Sequence, residues 1–394
     1  MALGLRSIAL VAAVAFLGTF YFLSPSGHNL LAVEQEITSA HVDGNELVER
    51  KIVVDAVHKA VERSDYAALD RMATDFRTSK ARTTSGVWKL AVFHEQMLAE
   101  AGPSGGCDKP SPRFSVDWLA RSPASPAAVV VRAAVLESEG WCLRGSGMGN
   151  TVSASASQQF HAKVQEALEL LSDHKKQASV DPHYYAVMAR IGIDEAFDKS
   201  AYRAMLDEAT VRAPDYHYAY FDAYRYYQPQ WFGSLREVEE LGRYASERAG
   251  DDRDGMYARY FWYVFDCRCH VMEKAGDWPR MKQSMRAVMA RYPTDCNASN
   301  FARISCAMKD GEEAGKWFDH IKGDGVDAWP NPGDIIACKT LAGRTGRATE
   351  RCPQAAREGW TRQDMDQYCR PEQMEACMKD SVCSSKIMSQ MQSR

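Results

Sequence analysis

Cys267-Arg268-Cys269-His270 is the tightest grouping of metal-ligating residue types in this 394-residue chain. The surrounding run from Met256 to Met272 has helical spacing. On a helix, residues two apart point about 200° away from each other, so Cys267 and Cys269 can neither share a metal ion nor bond each other. One spacer residue is also one too few for the haem-attachment pattern. They read instead as two separate disulfide partners. His94-Glu95 lacks the second histidine of a zincin helix, and the chain has neither a Gly-x-Ser-x-Gly elbow nor a Walker loop. Gly145-Ser146-Gly147-Met148-Gly149 has the composition of a phosphate cradle but no preceding strand and no tight helix start, so it reads as a linker. Glu137 and Glu139 imitate a catalytic carboxylate pair, yet two apart on a helix they diverge and read as solvated charges. Asn297-Ala298-Ser299 is a formal glycosylation sequon, meaningful only in a eukaryotic secretory setting. No catalytic residue, metal or cofactor is expected.

The positive signal is aromatic. Between Tyr216 and Phe265 lie Tyr218, Tyr220, Phe221, Tyr224, Tyr226, Tyr227, Trp231, Phe232, Tyr257, Tyr260, Phe261, Trp262 and Tyr263. Phe221, Trp262 and Phe265 are expected in the core. Consecutive runs such as Tyr226-Tyr227 and Tyr260-Phe261-Trp262-Tyr263 cannot all face one side of a helix, so other rings are expected on an open face. Tyrosine offers apolar area with a polar tip, which suits a binding surface. Arg190, Arg225, Arg259 and Arg303 fall on the same segments and can hold carboxylates or stack on rings. Tyr218, Arg225, Trp231, Arg259 and Tyr260 are therefore the expected binding residues.

The elements that must position them are helices. No run alternates with period two. Helical stripes run from Glu46 to Arg63, from Tyr66 to Phe76 behind the Ser64-Asp65 start signal, from Trp88 to Ala101 and from Ala127 to Trp141. Residues 102–126 hold Gly, Ser and Pro and read as a loop around Phe114 and Trp118, and Arg144 to Ser157 is the best internal linker. After a leading helix, Phe160 to Leu171, units begin near Pro182, Pro214, Asp251 and Pro293, each an aromatic-rich first helix followed by a more polar second helix. Helix pairs recurring roughly every 30–40 residues are the pattern of an α-solenoid, in which each pair buries a face against the next. The expected layout is residues 46–150 as an N-terminal helical region, 151–325 as repeats and 326–394 as a cysteine-rich tail, preceded by residues 1–24 and a linker, 25–45.

Compartment is read from the two ends. Arg6 precedes Ile8–Leu23, a run without charge that ends at Ser24-Pro25-Ser26-Gly27, which reads as an uncleaved signal anchor or a cleaved signal peptide. Either places the bulk of the chain in the periplasm, on the inner membrane if the segment is retained. The chain has eleven cysteines, and export makes most of them disulfide partners. Cys306 is expected to bond Cys267 or Cys269, Cys107 to bond Cys142, and Cys338, Cys352, Cys369, Cys377 and Cys383 to form two bridges inside the tail. Net charge is −4, with 45% hydrophobic and 25% charged residues, which excludes wholesale disorder and disfavours nucleic acid as a partner.

Gly276-Asp277-Trp278 with Arg291-Tyr292-Pro293, and Ala209 with Ala213-Pro214-Asp215, resemble tetratricopeptide second helices running into the next unit. Arg82-Thr83-Thr84-Ser85-Gly86-Val87-Trp88-Lys89-Leu90, Trp141-Cys142-Leu143-Arg144-Gly145 and Pro229-Gln230-Trp231-Phe232-Gly233-Ser234 resemble segments of an uncharacterised, membrane-anchored bacterial family of tetratricopeptide-like proteins. The resemblance covers roughly residues 60–325 and implies an all-α, tetratricopeptide-like solenoid without a known reaction. The expected function is a non-catalytic, envelope-anchored scaffold holding a peptide or protein partner, a neutralised toxin among the candidates. The alternative is an envelope enzyme acting on glycan or peptide, which needs two carboxyls about 5–9 Å apart in a cleft.

Overall fold

Local capping and apolar spacing decide where the helices start and stop. Asp65 accepts the Ala68 amide at 2.9 Å, Ser125 accepts that of Ala128 at 3.2 Å with Pro126 in the first turn, and Asp198 accepts that of Ala201 at 3.0 Å. The computed structural model describes residues 46–343 except 104–106, 108, 110, 148, 266–269, 323–327, 330 and 331, together with residues 375, 379 and 384. The described residues are helical throughout with no β-strand among them, and an antiparallel bridge pairs Arg82 with Trp88. The chain divides into two units, Met1–Ser284 and Met285–Arg394.

In the first unit the helices are α1 (Glu46–Glu62), α2 (Tyr66–Ser79), α3 (Lys89–Ala101), α4 (Phe114–Arg121), α5 (Pro126–Arg144), α6 (Ala154–Asp173), α7 (Lys175–Ala178), α8 (His183–Asp194) and α9 (Lys199–Arg212). They continue as α10 (Tyr218–Ala223), α11 (Leu235–Arg248), α12 (Arg253–Phe265) and α13 (Val271–Ala275). Helices α1, α3, α5, α8, α10 and α12 pack each against the next, while α2, α4, α6, α9 and α11 each cover a member of that row. Helix α5 is apolar over most of its first three turns because it is buried on two sides. Ala127, Ala128, Val131 and Val135 join a core with Val57, Leu69, Phe93, Met97 and Trp118. Val129, Val130, Ala133 and Leu136 join another with Phe160, Val164, Leu171, Tyr185 and Ile191. Each fully buried large side chain contributes about 2–3 kcal/mol. The crossings are close: a Cβ on Gly192 would lie 2.9 Å from the Tyr202 ring, and one on Gly242 would lie 2.9 Å from the rings of Tyr260 and Phe261.

A loop clasps the starts of the later helices. In residues 81–89, Thr83 N–H donates to Val87 O at 2.8 Å and Lys89 N–H to Ala81 O at 2.8 Å, with Gly86 at φ 90° allowing the turn. Arg82 reaches Asp215 at 3.0 Å and Asp252 at 2.9 Å, the acids just before α10 and α12. Trp88 Nε1 donates to Asp215 O at 2.9 Å, and Arg259 on α12 donates to Ser85 O at 2.8 Å. From the other side, Glu46 accepts Ser85 N–H and Glu49 accepts Thr84 N–H, each at 3.0 Å. Beside the loop, buried His94 on α3 bonds Asp181 at 2.9 Å and stacks on His183, with ring centroids 4.3 Å apart. His183 bonds Tyr216 Oη at 2.8 Å, and His217 bonds Asp252 at 2.8 Å.

The boundary between units falls within α14 (Trp278–Arg291). The second unit holds α15 (Asp295–Ala307), α16 (Gly311–Phe318) and α17 (Pro332–Leu341). Phe301 packs on Trp317 at 5.4 Å between centroids, Arg286 pairs with buried Glu313 at 2.8 Å, and Cys306 bonds Cys338 across 32 residues.

Several expectations change. Residues 102–126 are not all loop: α4 forms because Phe114, Ser115 and Trp118 share a buried face, and the Trp118 indole donates to Asp70 at 3.1 Å. Met256–Met272 is not one helix. α12 ends at Phe265, and α13 starts behind His270 at φ 54°. Cys306 bonds Cys338, not Cys267 or Cys269, because α17 lies against α15 and brings the Cα atoms to 5.4 Å. The Cys107–Cys142 bond forms as expected, with Cα atoms 5.3 Å apart. Cys267, Cys269, Cys352, Cys369, Cys377 and Cys383 lie outside the described residues, as does Ile8–Leu23. Among the described residues no helix is long and apolar enough to cross a membrane. Asn297 is fully buried and donates to Tyr292 O at 2.9 Å, so the sequon is closed to a glycan in the folded chain.

Candidate functional site

The row of helices carries a concentration of buried and half-buried charged and aromatic side chains. It lies where α3, α5, α8, α10 and α12 follow one another. Carboxylates placed in apolar helices need partners, because an isolated buried charge costs several kcal/mol. Asp222, in the run Tyr220-Phe221-Asp222-Ala223, accepts Arg190 NH1 at 2.9 Å and Tyr263 Oη at 3.5 Å. Arg190 on α8 also donates through Nε to Glu137 of α5 at 3.4 Å. Asp194, at the end of α8, accepts the Trp141 indole at 3.1 Å. Glu95 on α3 accepts the Tyr218 hydroxyl and lies in the field of Arg50, itself 2.6 Å from Glu46. The rings of Phe221 and Tyr263 stack at 4.6 Å, and Tyr218 and Tyr224 flank them at 5.5 and 5.7 Å.

Electrostatics follow from this crowding. Burial, then Glu137, holds the Asp194 carboxyl well above the ordinary range, against the pull of Arg225 and Arg190. Burial also raises Glu95 and Asp222, and the arginines offset it only in part. Burial opposes the charge on Arg190, but Glu137 and Asp222 outweigh it and hold the guanidinium charged. Tyr218 and Tyr263 are pushed well up by burial, reinforced by Glu95 and Asp222 respectively, so both hydroxyls stay protonated donors.

The expected binding residues divide. Tyr218, Arg225 and Trp231 are half-buried, and the Arg225 guanidinium lies 5.8 Å from the Trp231 ring centre. Arg259 and Tyr260 are core residues. Arg259 is 4% exposed and tied to Ser85 O, and Tyr260 is 0% exposed with its hydroxyl on Val238 O at 3.0 Å. Both point between neighbouring helices, so the open face does not include them. The core assignments also shift: Phe221, Trp262 and Phe265 are half-buried, while Tyr226, Tyr227, Tyr257 and Phe261 fill the interior. Glu137 is buried on Arg190 rather than solvated, whereas Glu139 pairs with Lys163 at 3.1 Å, so the two do diverge.

Sequence reasoning passed over Glu95, Asp194 and Asp222. Only Asp222, in Tyr220-Phe221-Asp222-Ala223, carries the signal of a lone carboxylate in an apolar run; Asp194 is followed by Glu195, and Glu95 stands between His94 and Gln96. No group of His, Cys, Asp and Glu among the described residues has the geometry to hold a metal ion. What the cluster offers chemically is hydrogen bonding, charge pairing and ring contact around four carboxyls, three of which are tied to arginine or tyrosine. The chain matches no protein-family model, no curated protein and no solved structure.

Proposed function

We propose that the chain is a non-catalytic binding scaffold, a tetratricopeptide-like α-solenoid that holds a peptide or protein segment in the cleft formed by α3, α5, α8, α10 and α12. A neutralised toxin is one partner of that kind. The carrying observation is the set of half-buried Tyr218 and Phe221 on α10, Tyr263 on α12, and Arg225 and Trp231 in the turns that follow α10, beside helices whose other faces are buried by core packing. Aromatic and arginine side chains are the residue types that dominate binding hot spots. The successive packing of that layer, each helix covered by a partner, supports the solenoid reading. Two disulfides support an oxidising compartment, and with the apolar run Ile8–Leu23 they favour an envelope-anchored protein facing the periplasm.

One observation favours the alternative, an envelope enzyme acting on glycan or peptide. Burial and the Glu137 charge raise the Asp194 carboxyl, the direction of shift that suits a general acid. Glu137, however, is committed to Arg190. A binding role therefore fits the pinned carboxylates better.

Site-directed photo-crosslinking of the full chain in its own membranes tests the scaffold. A photoreactive residue at position 225 or 231 should capture a discrete partner, and one at Val211, 83% exposed on α9, should not. Equal capture at all three positions, or none, refutes the groove.

A further inference from the structure

Donors and acceptors in the cleft do not balance. Each of the four carboxyls already accepts a hydrogen bond: Glu95 from Tyr218, Glu137 and Asp222 from Arg190, and Asp194 from Trp141. The surplus lies on the donor side. Arg190 is 9% exposed, uses Nε and NH1 on the carboxylates, and leaves NH2 buried without a partner. Arg225 makes no side-chain hydrogen bond among the described residues, and its guanidinium lies 5.8 Å from the Trp231 ring centre. The Trp231 indole N–H lacks an acceptor as well. Arg190 bonds Asp222, three residues before Arg225, and the charges of both arginines act on Asp194 and Asp222.

We propose that Arg225, with the free edge of Arg190, forms a subsite for a ligand carboxylate, walled by Trp231, Tyr224 and Tyr263. A guanidinium fork matches the planar carboxylate with two parallel N–H···O bonds. Burial and the nearby Glu137 raise the Asp194 carboxyl, which favours its neutral form over a full negative charge. A phosphate is disfavoured, because its second negative charge would sit among Glu137, Asp194 and Asp222. The rings beside Arg225 take up an apolar side chain next to the carboxylate. The assignment rests on the binding-scaffold reading and narrows it: the partner segment ends in, or displays, a carboxylate.

The test uses the purified full chain and four synthetic hexapeptide pools. These carry a free C-terminus without acidic side chains, the same peptides amidated, amidated peptides containing Asp or Glu, and amidated phosphopeptides. The proposal expects the free-terminus pool to bind at least ten-fold better than its amidated twin, or the acidic amidated pool to do so, the two results separating a chain terminus from a side chain as the source. Arg225→Gln should abolish that preference at unchanged unfolding temperature, since the Arg225 side chain makes no hydrogen bond among the described residues, and Arg225→Lys should restore only part of it. Equal binding of carboxylate and amide, a preference for phosphopeptides, or an unaffected Arg225→Gln variant overturns the carboxylate subsite. Absence of binding by every pool overturns it too. In each of those cases, crosslinking at positions 225 and 231 decides separately whether the scaffold reading survives.

Discussion

His217 sits at the start of α10 with its imidazole on Asp252, and its protonation should be written into the stability of the fold. Burial lowers its pKa from 6.5 to about 4, with Arg259 and Arg82 adding to the effect while the Asp252 hydrogen bond and charge resist it. A histidine depressed in the folded state binds its proton more readily in the unfolded chain. The stability it contributes is therefore complete above the ordinary pKa and is lost as pH falls from there toward the folded value. At pH 5 nearly all unfolded chains carry the proton and about a tenth of folded ones do. The ratio of the two binding terms is about 30, or about 2 kcal/mol relative to pH 7.5.

Other groups titrate in the same range with opposite signs. Asp194, Asp222 and Glu95 are raised in the fold and gain stability on acidification, while His183, pushed well below its ordinary value by burial, His94 and Arg190, loses it. The whole-chain pH profile therefore mixes signs, and a difference experiment isolates His217. His217→Gln keeps an amide donor for Asp252 and removes the titration. Urea unfolding of both chains, followed by tryptophan fluorescence at pH 7.5 and 5.0, should show the variant's deficit at pH 7.5 shrinking by about 2 kcal/mol at pH 5.0. A deficit that stays constant would mean that His217 titrates like a solvent-exposed imidazole, and the buried His217–Asp252 pairing would be wrong.

Three further outcomes follow from the same geometry. Arg82→Met leaves Asp215 and Asp252 without their shared cation and should cost about 3–5 kcal/mol in urea unfolding, with Arg82→Lys recovering only part because it cannot reach both acids at once. Non-reducing peptide mapping should link Cys107 to Cys142 and Cys306 to Cys338, and the double substitution Cys306→Ser with Cys338→Ser should destabilise the second unit by about 2–4 kcal/mol; a Cys306 peptide linked to Cys267 or Cys269 would contradict the arrangement of α15 and α17. Tyr260→Ala should cost about 3–5 kcal/mol of stability, whereas Trp231→Ala, on the half-buried face, should cost markedly less and weaken partner capture instead.

The helices were legible because they follow from short-range rules. Stripes at three- and four-residue spacing located α1, α2, α3 and α5 to within a few residues, and Asp65 marked a start as capping chemistry requires. The placement of the aromatic rings was not legible, for a reason specific to a row of helices packed on both sides. In Tyr260-Phe261-Trp262-Tyr263 each residue turns about 100° from the last. All four are aromatic, so apolarity cannot say which pair faces the neighbours. Contacts made far away in sequence decide it: Gly242 on α11 admits the rings of Tyr260 and Phe261, and that turns Trp262 and Tyr263 toward the half-buried side. The site's carboxylates follow the same logic. Nothing near Asp222 in sequence pairs with it, and Arg190, 32 residues earlier, becomes its partner only once α8 packs on α10. The loop from Arg82 to Trp88 is the extreme case, since its partners Asp215, Asp252 and Arg259 all lie more than a hundred residues on. Its string of Thr, Ser and Gly reads locally as an ordinary turn. Its weight comes from one arginine that bonds the starts of two successive helices. Anything that shifts α10 against α12 must therefore break a buried ion pair, which makes the clasp the element that keeps Tyr218, Asp222 and Tyr263 in register within the cleft.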